Sequence, residues 1–206
     1  MFHFISDKNE SSSIQLHSQG KASALRIRDQ SIVEFCDSKC DEHFQSFVRT
    51  SSSIPKGAPS FYFEVTIING GEDNNISVGL CTSQADMCPG VNANTIGIYG
   101  TDGSIRQNGE NIGWGGSFTN GDVISCQITR MKDWKLRLVP TRCQFWKNGQ
   151  QSGPSRYLAG RKLYPAVGLN TPGAIVCINI GDQPFHYGKE ISTILGLLHA
   201  FIKDKS

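Results

Sequence analysis

Along most of this chain, apolar and polar residues alternate with a period of two. That is the repeat of an extended strand, whose successive side chains face opposite sides of a sheet. In GDVISCQI, Val123, Ser125 and Gln127 point one way and Ile124, Cys126 and Ile128 the other. CQFWKNGQ follows and closes on Asn148-Gly149, the dipeptide that most readily takes the positive φ angles of a tight hairpin. LYPAVGL then runs to the turn Thr171-Pro172-Gly173, and AIVCINIG returns. The stretch from 121 to 181 predicts a β-meander.

The same pattern extends upstream. FYFEVTI places Phe61, Phe63, Val65 and Ile67 on one face and Tyr62, Glu64 and Thr66 on the other; Asn69-Gly70-Gly71 begins a turn, and NISVGLCT (75–82) returns as its partner. A loop rich in Met, Pro, Asn and Gly leads to TIGIYG (95–100), then to the glycine-rich stretch 102–118, which carries Trp114. ALRIRDQSIVEF (24–35) alternates with a break at Asp29-Gln30 and predicts a two-strand element at a sheet edge. Residues 46–60, small and polar with two prolines, predict a loop, and the serine-rich residues 1–20 a loosely held arm. The period changes near the end: Ile191, Ile194, Leu195, Leu198, Phe201 and Ile202 recur at three- and four-residue steps, as on one face of a helix. The expected organisation is an all-β domain over 21–186, after the arm, with a short amphipathic C-terminal helix over 187–206. The bland role for that helix is packing against the outer face of its own domain. The sharper one is dimerisation or docking.

Composition narrows the functional classes. The chain has 206 residues, enough for one domain that buries its core without metals or disulfides, and 22 glycines with 11 phenylalanines suit a turn-rich β protein. A net charge of +2, from 20 basic and 18 acidic residues interspersed, shows no concentrated basic surface for nucleic acid. Seven cysteines are scattered and odd in number, which predicts buried reduced thiols rather than a disulfide framework. Cys36, Cys40 and His43 match no common zinc spacing and have no second ligand pair, so no metal is expected. The N-terminus lacks the basic and apolar regions of a signal peptide, and no run approaches the ~20 apolar residues of a membrane span. Cytoplasm, or the nucleus, is the expected location. No nucleophile elbow, P-loop or zinc-protease helix is present, and the histidines lie mostly near the termini, so neither catalysis nor a cofactor is expected.

In order along the chain, SIPKGAPSFYFEVTI, ISVGLCT, IGIYGTDGSIRQNG, FTNGDVISCQI, CQFWKNG, LYPAVGL and IVCINIG resemble the SPRY domain family. VRTSSSIPKG, YGTDGS and GLNTPGAIVCINIGDQPF resemble its Ran-binding protein M-like members, scaffold subunits of a multisubunit ubiquitin ligase. The resemblance implies a two-layer antiparallel β-sandwich, without chemistry of its own, whose rim loops bind a short peptide segment of a partner protein. Membership of that ligase does not carry over with the resemblance; the expected use is partner recruitment, as an adaptor subunit of a ubiquitin ligase or as an effector. Carried onto this sequence, the contact loops hold Arg49, Ser53 and Ile54, then Thr82, then Tyr99 and Arg106, then Asn170 and Thr171. The chain departs from the family pattern near Ser53, where a proline is expected, and near Arg106, where an aromatic is expected. Ile54, beside Pro55, is the expected apolar rim contact, and Arg106 beside Tyr99 the expected donor fork for a carboxylate or carbonyl. Trp114, Phe145 and Trp146 are read as packing residues. The competing class is a carbohydrate-binding β-sandwich, for which Tyr99 and Trp114 offer aromatic platforms.

Overall fold

Alternation of this kind buries one face of each strand and leaves the other to be covered or solvated, so strands pair until two apolar faces meet. The computed structural model describes residues 16–19, 24–37, 46–56, 58–130, 141–158 and 162–188. Its strands are β1 (Leu16–Gln19), β2 (Leu25–Arg28), β3 (Ile32–Phe35), β4 (Phe47–Thr50), β5 (Ser60–Gly70), β6 (Ile76–Cys81) and β7 (Ile96–Tyr99). They continue with β8 (Ser104–Gln107), β9 (Glu110–Trp114), β10 (Val123–Arg130), β11 (Thr141–Lys147), β12 (Gln150–Leu158), β13 (Tyr164–Leu169) and β14 (Ala174–Asn179). The first sheet runs β1-β4-β13-β6-β7-β8-β9 and the second β12-β11-β10-β5-β14-β3-β2, with antiparallel pairing throughout. Their inner faces form one core. Phe63, Val65, Ile67, Ile124, Cys126 and Ile128 come from the second sheet and Val78, Leu80, Ile98, Ile105 and Val167 from the first.

The β-sandwich expected from the resemblance is what forms, and the predicted alternations of β5 and β10 hold. Asn148 and Gly149 both take positive φ (50° and 76°) in the two-residue link between β11 and β12. The edge element at 24–35 is β2 and β3, at the end of the second sheet.

Several local expectations are corrected. The end of the supposed arm is β1, which pairs with β4. β4 in turn lies inside the supposed loop 46–60, where Phe47 and Val48 are fully buried. The glycine-rich stretch folds into the β8–β9 hairpin, closed by Asn108 and Gly109 at φ 56° and 84°. β12, which carries Gly153 and Pro154, is a further strand whose sequence shows no clear alternation. Residues 1–15, Cys40, His43 and the amphipathic stretch from 189 onward lie outside the described residues. Among the described residues no helix is long and apolar enough to cross a membrane.

Both outer faces are partly covered. On the first sheet, residues 82–94 lie over glycines: a Cβ at Gly97 would strike the Pro89 carbonyl, and one at Gly168 the Cys88 sulfur. On the second sheet, Glu64 is 1% exposed. Its carboxylate accepts from the N–H of His186 (2.7 Å), the N–H of Tyr187 (2.8 Å) and the Tyr62 hydroxyl (2.7 Å). The chain after β14 is thereby strapped across that sheet, with Phe185 edge-on to Tyr62 and Tyr187 packed on Tyr62 and Trp146.

Candidate partner-binding site

Tyr99 ends β7 with its side chain on the outer face of the first sheet, and a short turn brings β8 back beside it. Gly103, at φ 71°, makes that turn possible, and its N–H donates to the Tyr99 carbonyl at 2.9 Å. Arg106 shares the outer face and lays its guanidinium 4.1 Å above the Tyr99 ring. Its Nε donates to Ser104 Oγ at 3.2 Å, and its Nη2 lies 3.8 Å from the Asp102 carboxylate. Burial alone would push the Asp102 carboxyl up; bonds from Ser104 and the Arg106 charge outweigh it and hold the carboxyl below its ordinary value. Burial pushes the Tyr99 phenol up, with Cys88 adding to it, so the group stays a hydroxyl and donates to the Pro89 carbonyl at 3.0 Å.

Two consequences follow for binding. A free arginine carries about 2 kcal/mol of rotamer entropy, and a side chain already stacked and bonded has lost much of it before a ligand arrives. Yet 38% of the Arg106 side chain remains accessible, so donors are left for a partner. Trp114, on β9 directly opposite Ser104, belongs to the same face and is 65% exposed. It does not pack against the sandwich as expected. Tyr99, Ser104, Arg106 and Trp114 thus form a shelf with a fixed cation at its centre and an open indole at its edge.

A second cation stands on the same face. Arg49, on β4, lies 4.5 Å over the Tyr164 ring and donates from Nη1 to the Thr50 carbonyl at 3.2 Å. The register Arg49–Ala166–Gly79–Gly97–Arg106 puts the two arginines in one cross-strand row. Four strand spacings separate them, roughly 19 Å, with residues 82–94 between. Ser53 and Thr82, both half-buried, lie at Arg49's end of the sheet.

The remaining expected contacts are structural. Ile54 is 2% exposed and part of the core, its N–H bonded to the Leu163 carbonyl at 2.8 Å, so it offers no apolar rim contact. Asn170 is 8% exposed: its Oδ1 accepts from the Ser46 N–H at 2.7 Å and its Nδ2 reaches Cys88 Sγ at 3.0 Å. Thr171 is 1% exposed, and its Oγ1 accepts from the Asp73 N–H at 3.3 Å. Both side chains pin loops to one another. Asn170 and Thr171 follow β13 at the end of the first sheet where Tyr99 closes β7, and Thr82 lies at the opposite end of β6, so the predicted residues do not converge on one rim. Tyr164, which supports Arg49, was not singled out from sequence; its place opposite Cys81 depends on a strand pairing that local pattern does not encode.

Comparison with known proteins agrees with this architecture. The SPRY domain family model matches residues 60–183. Ran-binding protein 9 of Xenopus tropicalis is 36% identical over 146 residues, 69% of this chain and 25% of that protein. The Ran-binding protein M homolog of Arabidopsis thaliana is 24% identical over 162 residues, 77% of this chain and 33% of that protein. The chain therefore spans a quarter to a third of the length of these curated relatives. A crystal structure of a human SPRY domain superposes with a TM-score of 0.65 at 20% identity, covering 78% of this chain and 98% of the other, which speaks to fold alone. This chain belongs to the SPRY domain family, a family of non-enzymatic protein–protein interaction modules.

Proposed function

We propose that the chain binds a short segment of a partner protein on the outer face of the first sheet, at the shelf of Tyr99, Ser104, Arg106 and Trp114. The observation that carries this reading is the Arg106–Tyr99 stack beside an exposed Trp114. Arginine and tryptophan are the side chains that most often dominate binding energy at interfaces, and here both stand on paired strands. Arg106 would take a carboxylate or backbone carbonyl, and Trp114 an apolar side chain two to three residues further along. Arg49, with Ser53 and Thr82 nearby, is a second contact for a longer segment. Recruiting that partner to a ubiquitin ligase rests only on the likeness to Ran-binding protein M-like chains. A glycan platform is disfavoured, because Tyr99 is buried beneath Arg106 and leaves Trp114 alone.

The test is selection of peptides from a random library on the immobilised chain, followed by titration of a selected peptide into Arg106→Ala and Trp114→Ala variants. Each variant should weaken binding roughly 30-fold, the loss of about 2 kcal/mol typical of a hot spot. Unchanged affinity in both would remove the shelf as the site.

A further inference from the structure

The strap across the second sheet delivers the chain to a defined place. Glu64 holds the N–H groups of His186 and Tyr187, a Cβ on Gly149 would meet Tyr187 at 2.7 Å, and Gly188 is buried against Phe185. Beside the strap, on the same outer face, lies an apolar patch with no partner in its own sheet. Cys177 stands between Ile32 on β3 and Thr66 on β5, and Ile175 pairs with Asn69 next to the bulge that carries Ile68. Ile68 is 46% exposed, and Ile32, Ile175 and Cys177 are half-buried. An ion pair between Arg28 and Glu34, 3.3 Å long, borders the patch.

We propose that this patch is the docking site, in cis, of the chain's own residues 189–206. Length and origin argue for this occupant. The outward row Glu64, Thr66, Ile68 leads in two steps from the clamp to the centre of the patch. Eighteen residues follow Gly188, and their apolar positions Ile191, Ile194, Leu195, Leu198, Phe201 and Ile202 begin three residues beyond it. Coiled at helical pitch they would reach about 27 Å, whereas the patch spans only two strand spacings, roughly 10 Å. A segment tethered this closely has an effective concentration in the millimolar range, so it outcompetes the same segment of another copy. The clamp itself is a carboxylate aimed at two successive backbone N–H groups, an arrangement that fixes chain direction rather than sequence.

The test uses the full chain with Cys177 as reporter. Alkylation by N-ethylmaleimide is followed by peptide mass spectrometry in the native chain, in Leu195→Asp/Leu198→Asp, in Ile68→Asp, and in all three substitutions combined. Leu195 and Leu198 follow the last strand of the sandwich in sequence, and Ile68 is exposed, so matched melting curves are expected to confirm an intact fold. Docking in cis predicts that each variant labels Cys177 several-fold faster than the native chain, and that the combination labels it no faster than either. An unchanged rate in the tail variant would overturn the proposal. So would a native rate that rises on dilution together with a dimer seen by light scattering, because the occupant would then be a second copy. Binding of selected peptides to Arg106 and Trp114 is a separate readout, so either idea can fail alone.

Discussion

Replacing Glu64 by glutamine exchanges one carboxylate oxygen for an amide nitrogen on a side chain that is 1% exposed. The carboxylate uses both oxygens: Oε1 accepts from Tyr62 Oη and Tyr187 N, and Oε2 from His186 N at 2.7 Å and lies 3.3 Å from His186 Nδ1. Glutamine has the same shape but one acceptor oxygen. In either orientation its amide N–H group faces a backbone N–H of the strap, so at least one charge-assisted bond is lost and replaced by a donor–donor contact. Hydrogen bonds to charged groups contribute about 1.5–3 kcal/mol each. The strap can lift and let water in, which caps the loss near the strap's own contribution, about 2 kcal/mol. At roughly 2–4 °C per kcal/mol for a domain of this size, Glu64→Gln should lower Tm by about 4–8 °C. Hydrogen exchange should show where the loss occurs, with the His186 and Tyr187 amides exchanging faster while β10 and β5 keep their protection. Melting within about 1 °C of the native chain, with unchanged exchange at those two amides, would refute the clamp.

Gly149 sits at φ 76° and a Cβ there would meet Tyr187, whereas Gly116 sits at φ 86° with open space around it. Gly116→Ala should therefore cost only the left-handed conformation, about 1 kcal/mol, and Gly149→Ala about twice that; equal losses in chemical denaturation would deny the Tyr187 contact. Burial pushes the Asp122 carboxyl up, but the Thr119 N–H, the Asn148 amide and Lys147 outweigh it and leave it below its ordinary 3.8. A carboxylate with a depressed folded-state pKa stabilises above its unfolded value, and that contribution fades as pH falls through the folded one. The Tm gap between native chain and Asp122→Asn should then be present near neutral pH and close below 3.8; a gap that widens in acid would reverse the assignment. Burial pushes the Cys81 thiol up to about 12, with Arg49 only partly opposing it, while Cys36 is exposed. Mild alkylation of the folded chain should mark Cys36 long before Cys81, and comparable rates would contradict the packing of the first sheet's outer face.

What the sequence discloses is the part set by local repetition. FYFEVTI and GDVISCQI alternate cleanly because one face of each strand lies on the sandwich core, and Asn148-Gly149 specifies its turn chemically. The same signal, Asn108-Gly109, stood in the glycine-rich stretch, hidden by its glycine neighbours. β4 leaves no signal in the sequence because four residues between a polar stretch and a run of serines are too short to display a period. Ile54 looked like a rim residue because its neighbours are serines; its N–H bond to Leu163 draws it inward, a contact more than a hundred positions away in sequence. Glu64 is the instructive case. Alternation assigns it to the outer face, correctly, but only the later strap turns that face into an interior. Arg106 and Tyr99 were legible as a pair, whereas the exposure of Trp114 depends on β9 ending an outer row opposite Ser104.

The central claim is tested most directly by titrating a library-selected peptide into the isotopically labelled chain and mapping backbone and side-chain shifts by NMR. The account predicts saturable changes concentrated at Tyr99, Asp102, Ser104, Arg106 and Trp114, including the Trp114 indole N–H, with smaller ones toward Arg49. Saturable binding whose shifts fall on the second sheet, or at the ends of the sandwich away from β7–β9, would contradict it.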